Sequence, residues 1–146
     1  MRKAISIFLT ICLLTLTFTA CSDNQVTDEE LVEKSVKNFL HNFNEGSADD
    51  MLNCFSSAEK ERIKGTLLSG AADAAWLAIG IALGVENMGD TVEATDIVAS
   101  VYQKDKASAY AQLKYSGEGG NYFGQVMFSL SKENGGWYVE NYEPTE

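Results

Sequence analysis

The apolar residues of this chain change their spacing several times between the amino terminus and the carboxyl terminus. A largely apolar stretch covers residues 4–18, helical spacing follows over residues 27–45, a second apolar stretch covers residues 67–83, and alternation begins at Thr91. A period near 3.6 is typical of amphipathic helices, and a period of 2 is typical of strands. The pattern therefore predicts helices in the first part of the chain and strands in the second part.

The first predicted helix, from Thr27 to Glu45, has recognisable signals at both ends. Thr27 is placed as the N-cap, and Glu30 three positions later completes a capping box. Gly46 follows the last apolar residue, where glycine is a typical helix stop. One face of this helix is apolar and consists of Val32, Val36, Phe39, Leu40 and Phe43. We expect this face to pack against the rest of the domain.

Two further helices are predicted, one beginning at Ser47 and one at Ser56 or Ser57. The third helix is charged at first and then apolar on all sides from Leu67 to Leu83. Such a helix must be covered on every side, by the interior of the domain, by a partner subunit or by the bilayer. Asp73 within the apolar part argues against a membrane span, because a carboxylate is costly in hydrocarbon. The sequence favours packing against protein.

Five residues have the chemistry expected of a pocket or an interface. Asp73 is a carboxylate in an apolar helix, and a desolvated carboxylate has a raised pKa. Trp76 and Ile79 are the apolar anchors that this helix offers to a ligand or partner. Asp96 and Tyr110 are a carboxylate and a phenol in the predicted strands. For each of the polar candidates, an ordinary surface or hydrogen-bonding role is the alternative.

Four strands are predicted after Thr91, and turn residues separate them. They cover Val92 to Tyr102, Ala107 to Tyr115, Tyr122 to Lys132 and Trp137 to Tyr142. Neighbouring strands that are joined by short turns form an antiparallel meander. Helices followed by a meander predict an α+β domain, in which the N-terminal helices pack on an antiparallel sheet of about four strands.

Charge and composition exclude several classes of function. The chain of 146 residues has 11 Lys and Arg against 21 Asp and Glu, a formal net charge of -10. Such a balance disfavours binding to nucleic acid. Its one histidine, His41, falls opposite the apolar face of the first helix. With Cys54 as the one cysteine left in the domain, no zinc site is expected. We expect no metal and no cofactor.

The first 21 residues resemble the signal of bacterial lipoproteins. Arg2 and Lys3 precede the apolar stretch, and small residues lead into Cys21. The resemblance implies attachment of lipid to Cys21, cleavage before it and anchoring in the membrane through acyl chains. Removal of the signal changes the formal net charge from -10 to -12. Ser22 after the cysteine favours the outer membrane over the inner membrane of the cell envelope, by resemblance to lipoprotein sorting in enteric bacteria.

The expected organisation is a signal peptide at 1–20, a lipidated tether at 21–26 and one domain at 27–146. The order of elements, together with the turn at 132–136 leading into Trp137, resembles the nuclear transport factor 2-like superfamily, which has a cystatin-like fold. The resemblance covers about residues 27–142. It implies a strongly curved sheet wrapped around helices, a pocket at the wide end and, in many members, dimerisation.

Three functions remain open from the sequence. The first is a non-catalytic lipoprotein that binds a small apolar ligand or an envelope protein partner. The second is a cavity isomerase or dehydratase with Asp73 or Asp96 as its base and Tyr110 as a donor. The third is a structural accessory protein whose binding face is the sheet. No catalytic residue is assigned, because no motif of the superfamily's enzymes matches residue by residue. A homodimer is one of the partner states left open.

Overall fold

The structure is a computed structural model that describes residues 26–67, 78–87 and 89–145. Three helices and a further helical turn at residues 78–82 precede four strands. The helices are α1 (Asp28–Glu45), α2 (Ala48–Asn53) and α3 (Ser57–Leu67). The strands are β1 (Thr91–Gln103), β2 (Lys106–Gly117), β3 (Gly120–Glu133) and β4 (Gly136–Pro144). The predicted α+β class, with helices first and strands afterwards, is confirmed.

Helix α1 begins and ends where the sequence predicts. The Thr27 side chain accepts a hydrogen bond from the Glu30 amide at 3.2 Å, and the Thr27 amide donates to Glu30 Oε2 at 3.0 Å. Both bonds of the capping box are therefore present. Gly46 has a φ of 68° and donates its amide to the carbonyl of Phe43, which ends the helix in the left-handed conformation that glycine favours.

The four strands form one open antiparallel sheet in the order β1-β2-β3-β4. Each strand pairs with the next one along the chain. Two register shifts fall in the β1-β2 pair, between Ala94 and Asp96 and between Val101 and Gln103. A third falls in the β3-β4 pair, where Glu140 is the extra residue of β4. Beyond such an extra residue the alternation is shifted by one, so positions that would have faced outward face inward.

The core lies between the inner face of this sheet and the helices. Helix α1 contributes the apolar face that was predicted, and all five of its residues are buried. Phe39 of α1 lies at the centre of an aromatic cluster, with ring centroids 5.3 Å from Phe55 and 5.6 Å from Phe128. Edge-to-face pairs of this kind stabilise a core by about 0.5 to 1.5 kcal/mol beyond the area that they bury. The cluster packs α1 against Phe55, which lies between α2 and α3, and against Phe128 of the sheet.

The edge of β4 is covered by the chain between α2 and α3. The Val139 amide donates to the carbonyl of Cys54 at 2.9 Å, and the Ser56 amide donates to the carbonyl of Val139 at 2.9 Å. Phe55 thus forms a parallel bridge with Val139. This bridge fixes the start of α3 beside the sheet.

The long apolar third helix of the sequence prediction is seen only in part. Helix α3 ends at Leu67, residues 78–82 are helical again, and the residues between them lie outside the described part of the chain. Ile79 and Leu83 are buried, whereas Ile81 is exposed. The 78–82 turn is therefore covered on one side and not all round, because it lies at the rim of the core. Within the described residues, no helix has both the length and the apolar composition of a membrane span.

Candidate functional site

A cleft of about 270 Å³ lies between α3, the 78–82 turn and the end of β4. Its walls combine apolar side chains with a small polar group at one side. The described residues that line it are Glu59, Arg62, Ile63, Ala78, Ile79, Ala82, Asn141 and Tyr142. This mixture of an apolar wall and a few polar groups is typical of sites for small molecules.

Tyr142 forms the inner wall of the cleft. Its ring packs in the aromatic cluster, with centroids 5.3 Å from Phe39, 6.1 Å from Phe55 and 6.2 Å from Phe128. Burial raises the pKa of Tyr142 to about 12, and the charge of Glu59 acts in the same direction. The hydroxyl is therefore protonated at neutral pH and available as a hydrogen-bond donor. No residue in the described ranges forms a hydrogen bond with it.

Glu59 and Arg62 form the charged side of the cleft. They are one helical turn apart in α3, and Arg62 donates from Nε to Glu59 Oε2 at 2.7 Å and from Nη2 to Oε1 at 2.5 Å. The Glu59 side chain is 16% exposed and that of Arg62 is 70% exposed. The hydrogen bonds to Glu59 raise the pKa of Arg62. A two-point pair of this kind holds both side chains in one orientation.

The 78–82 turn is held in place by tyrosines of the sheet. The Tyr115 hydroxyl donates to the carbonyl of Leu83. The Glu86 amide donates to the Tyr122 hydroxyl at 2.7 Å, and that hydroxyl lies 3.1 Å from Asp90 Oδ2. The rings of Tyr115 and Tyr122 are stacked with centroids 4.5 Å apart. These contacts fix the turn that carries Ile79 against the sheet.

The structure brings only one of the sequence-predicted candidates to this cleft. Ile79 is buried and lines the cleft wall. Asp96 of β1 and Tyr110 of β2 are exposed on the outer face of the sheet, away from the helices. The Tyr110 hydroxyl is 2.9 Å from Thr145 Oγ1, which is an ordinary surface hydrogen bond. Asp73, Trp76 and the lipidation residue Cys21 lie outside the described residues.

Glu59, Arg62 and Tyr142 were missed as site residues. Simple alternation from Val139 would point Tyr142 outward, but the extra residue Glu140 returns it to the inner face, opposite Phe128. The sequence signal that could have found it is the polar residue Asn141, which breaks the alternation.

A second cleft, of about 240 Å³, lies between α1 and the β3-β4 turn. Cys54 lines it, and Asn42 Nδ2 is 3.2 Å from the Cys54 sulfur. Burial raises the pKa of this thiol, which disfavours the reactive thiolate and agrees with a packing role. His41 is exposed, and no group of side chains suited to a metal ion occurs in the described part of the chain.

The sequence matches no protein-family model and no protein with a curated description. Solved structures are similar in fold. A protein of unknown function with a cystatin-like fold from Nostoc punctiforme superposes with a TM-score of 0.58 at 14% identity, covering 80% of this chain and 89% of its own. An NTF-2 like protein of unknown function from Shewanella oneidensis gives a TM-score of 0.58 at 10% identity, covering 82% of this chain and 100% of its own.

A third structure, of a proposed aromatic ring hydroxylase from Novosphingobium aromaticivorans, gives a TM-score of 0.53 at 17% identity, covering 80% of this chain and 87% of its own. At such identities the likeness concerns the fold and not the activity. The chain has the cystatin-like, NTF-2-like α+β fold that the sequence resemblance predicted.

Proposed function

We propose that this protein is a membrane-anchored, non-catalytic lipoprotein that binds a small ligand in the cleft beside Tyr142. The ligand has an apolar body and one hydrogen-bond acceptor. The observation that carries this proposal is Tyr142, whose ring packs in the aromatic cluster and whose hydroxyl has no hydrogen-bond partner in the described part of the chain. A phenol hydroxyl that makes no hydrogen bond within the protein can donate one to the acceptor of a ligand.

The dimensions and chemistry of the cleft define the class of ligand. A volume of about 270 Å³ is near the lower end for ligand pockets, so a molecule with a single ring is the expected size. Ile63 and Ile79 supply apolar contact, and Tyr142 supplies the donor. A carbonyl or carboxylate oxygen is the acceptor that a protonated phenol would bind.

The described residues favour binding over catalysis. Glu59 is the carboxylate among the described lining residues of this cleft, and both of its oxygens accept hydrogen bonds from Arg62. Asp96, which the isomerase or dehydratase alternative would use as a base, is exposed on the outer face of the sheet. That alternative is left with Asp73, which lies outside the described residues.

Ligand-observed NMR with a panel of one-ring ketones and carboxylates tests the binding site. The wild-type protein should bind at least one member, and Tyr142→Phe, which removes only the hydroxyl, should weaken that binding by about tenfold. Tyr138→Phe is the matched control, because Tyr138 belongs to the same strand but lines the second cleft. Equal binding by wild type and Tyr142→Phe would refute the role of the hydroxyl.

Membrane anchoring is tested separately, because it rests on the sequence around Cys21 alone. Native mass spectrometry of the detergent-extracted protein should show acyl groups on a chain that begins at Cys21. Cys21→Ser should lose that mass and leave the membrane fraction. An unmodified cysteine in the wild-type protein would argue against the anchor without affecting the ligand site.

A further inference from the structure

Strand β1 is an edge of the sheet, and no described residue pairs with most of that edge. The side chain of Asn44 covers its first part by bonding to the backbone of Val92. Beyond this point, no other backbone or side-chain group in the described ranges bonds to the outward-facing backbone of β1. The opposite edge, on β4, is bridged by the chain around Phe55. An open edge presents unpaired N–H and C=O groups that can pair with another strand.

The pairing register identifies which residues present these groups. Asn44 bonds to both backbone groups of Val92, so Val92 directs them away from β2. In an antiparallel pair the hydrogen-bonding direction alternates along the strand together with the direction of the side chains. The inward-facing residues of β1 beyond its first register shift are Ile97, Ala99 and Val101, opposite Ala111, Ala109 and Ala107. These three therefore direct their N–H and C=O groups to the open edge.

Two register shifts and the charged Glu93 and Asp96 interrupt the rest of β1, but the stretch between the shifts, residues 97–101, has none of the features that usually protect an edge strand. Natural edge strands commonly carry lysine or proline, and the sequence of β1 contains neither. Residues 97–101 carry no charge at all. On the outer face of the same strand Val98 is 63% exposed and Tyr102 is 58% exposed, and Val98 lies opposite the partly exposed Tyr110. An open edge and an exposed apolar patch thus coincide on β1.

We infer that β1 pairs with β1 of a second copy of this chain, antiparallel about a two-fold axis at Ala99. In this register Ala99 faces Ala99 of the partner, and Ile97 faces Val101 of the partner. Each of these residues directs its backbone groups to the shared edge, so the pairs exchange backbone hydrogen bonds. The two sheets become one continuous sheet across the axis.

Self-complementarity identifies the occupant as a second copy. A two-fold interface requires the same surface to match itself. Over residues 95–103 the register about Ala99 brings no like charges opposite one another, although the chain has a net charge of -10. It places Asp96 opposite Tyr102 of the partner and within two residues of Lys104 of the partner. Asp96 has no ion-pair partner in the described residues, and this arrangement supplies one on each side of the axis.

Sedimentation equilibrium of the full-length chain in density-matched detergent tests the pairing. The wild type should form a dimer in the micromolar range. Ala99→Pro removes an outward N–H without removing a bond to β2, so it should weaken the dimer by about tenfold or more while circular dichroism stays native. Ala99→Val keeps the N–H and should dimerise like the wild type. A monomeric wild type, or a folded Ala99→Pro variant with an unchanged dimer, overturns the inference, and the latter points to the sheet face.

A charge exchange tests the register even if Ala99→Pro does not fold. Asp96 and Lys104 are exposed, so changing them should leave the fold intact. Asp96→Lys and Lys104→Asp should each weaken the dimer by about two- to fivefold, and the double variant should restore it. If the four proteins dimerise equally, the proposed antiparallel register is wrong.

Discussion

Asn44 pairs with the backbone of Val92 as a neighbouring strand would. Its Nδ2 donates to the Val92 carbonyl at 2.8 Å, and its Oδ1 accepts from the Val92 amide at 2.9 Å. The side chain of a residue near the end of α1 thereby satisfies both backbone groups at the start of the edge strand β1. This side-chain amide links the end of α1 to the outer edge of β1, where no further strand lies among the described residues.

Removal of this amide is expected to destabilise the protein. Asn44→Ala loses both hydrogen bonds and regains a little helix propensity, so the free energy of unfolding should fall by about 1 kcal/mol. Urea denaturation followed by circular dichroism measures the change. Asn38→Ala, at another exposed position of α1 with no hydrogen bond to its side chain among the described contacts, should change stability by less than about 0.5 kcal/mol. Equal effects of the two variants would contradict the role assigned to Asn44.

The sequence predicted the elements whose signals are local. The capping box of Thr27 and Glu30 and the stop at Gly46 defined α1, because each of these two signals acts within one turn at its own end of the helix. The alternation from Ala107 to Tyr115 defined the inner face of β2, which has no register shift with β3. Short-range hydrogen bonding and a period of 2 determine such features, and both can be read from the sequence.

The cleft could not be predicted in the same way. Its walls come from α3, the 78–82 turn and β4, which are far apart in the sequence and meet only through tertiary packing. Glu59 and Arg62 read as ordinary surface charges of a helix. Tyr142 faces the cleft only because Glu140 shifts the register, and register shifts leave little trace in a pattern of apolar residues.

Gly117 is required by a close contact with Asp90. A Cβ at position 117 would lie 1.6 Å from Asp90 Oδ1, and Asp90 is itself buried beside Tyr122. We expect Gly117→Ala to lower the free energy of unfolding by about 1 to 3 kcal/mol, because the carboxylate must move. Gly65→Ala, where nothing lies within 4 Å, should instead raise it by about 0.5 to 1 kcal/mol through helix propensity. Thermal denaturation measures both changes. If the free energy of unfolding changes in the same direction in both variants, this explanation is excluded.

Asp28 is expected to make stability depend on acid pH. Lys132 Nζ lies 2.6 Å and Trp137 Nε1 lies 3.2 Å from its Oδ1, and these hydrogen bonds lower the pKa of Asp28 below its ordinary value of 3.8. The stabilisation is therefore present above pH 3.8 and is lost as the pH falls through the lowered folded-state value. Urea denaturation between neutral and acid pH should show a shallower pH dependence for Asp28→Asn than for wild type.

Glu118→Gln is the control for Asp28, because it removes a carboxylate with no hydrogen bond or ion pair among the described contacts. It should keep the acid dependence of the wild type. A wild-type curve as shallow as that of Asp28→Asn would show that the contact with Lys132 does not persist in solution.

Tyr115 and Tyr142 are expected to ionise well above the ordinary tyrosine pKa of 10.0. Burial raises the pKa of each to about 12 from an ordinary value of 10.0. Since the folded state binds these protons more tightly than the unfolded state, their contribution to stability is complete below pH 10.0 and is lost as the pH rises through about 12. In an absorbance titration of the six tyrosines, Tyr115 and Tyr142 should ionise in a separate step near pH 12. Tyr142→Phe and Tyr115→Phe should each remove one residue from this step.

The step near pH 12 should disappear in guanidinium chloride, where burial is lost. A single step near pH 10 in a protein that circular dichroism still shows as folded would mean that the Tyr142 hydroxyl is not shielded, and would weaken the case for the cleft as a binding site.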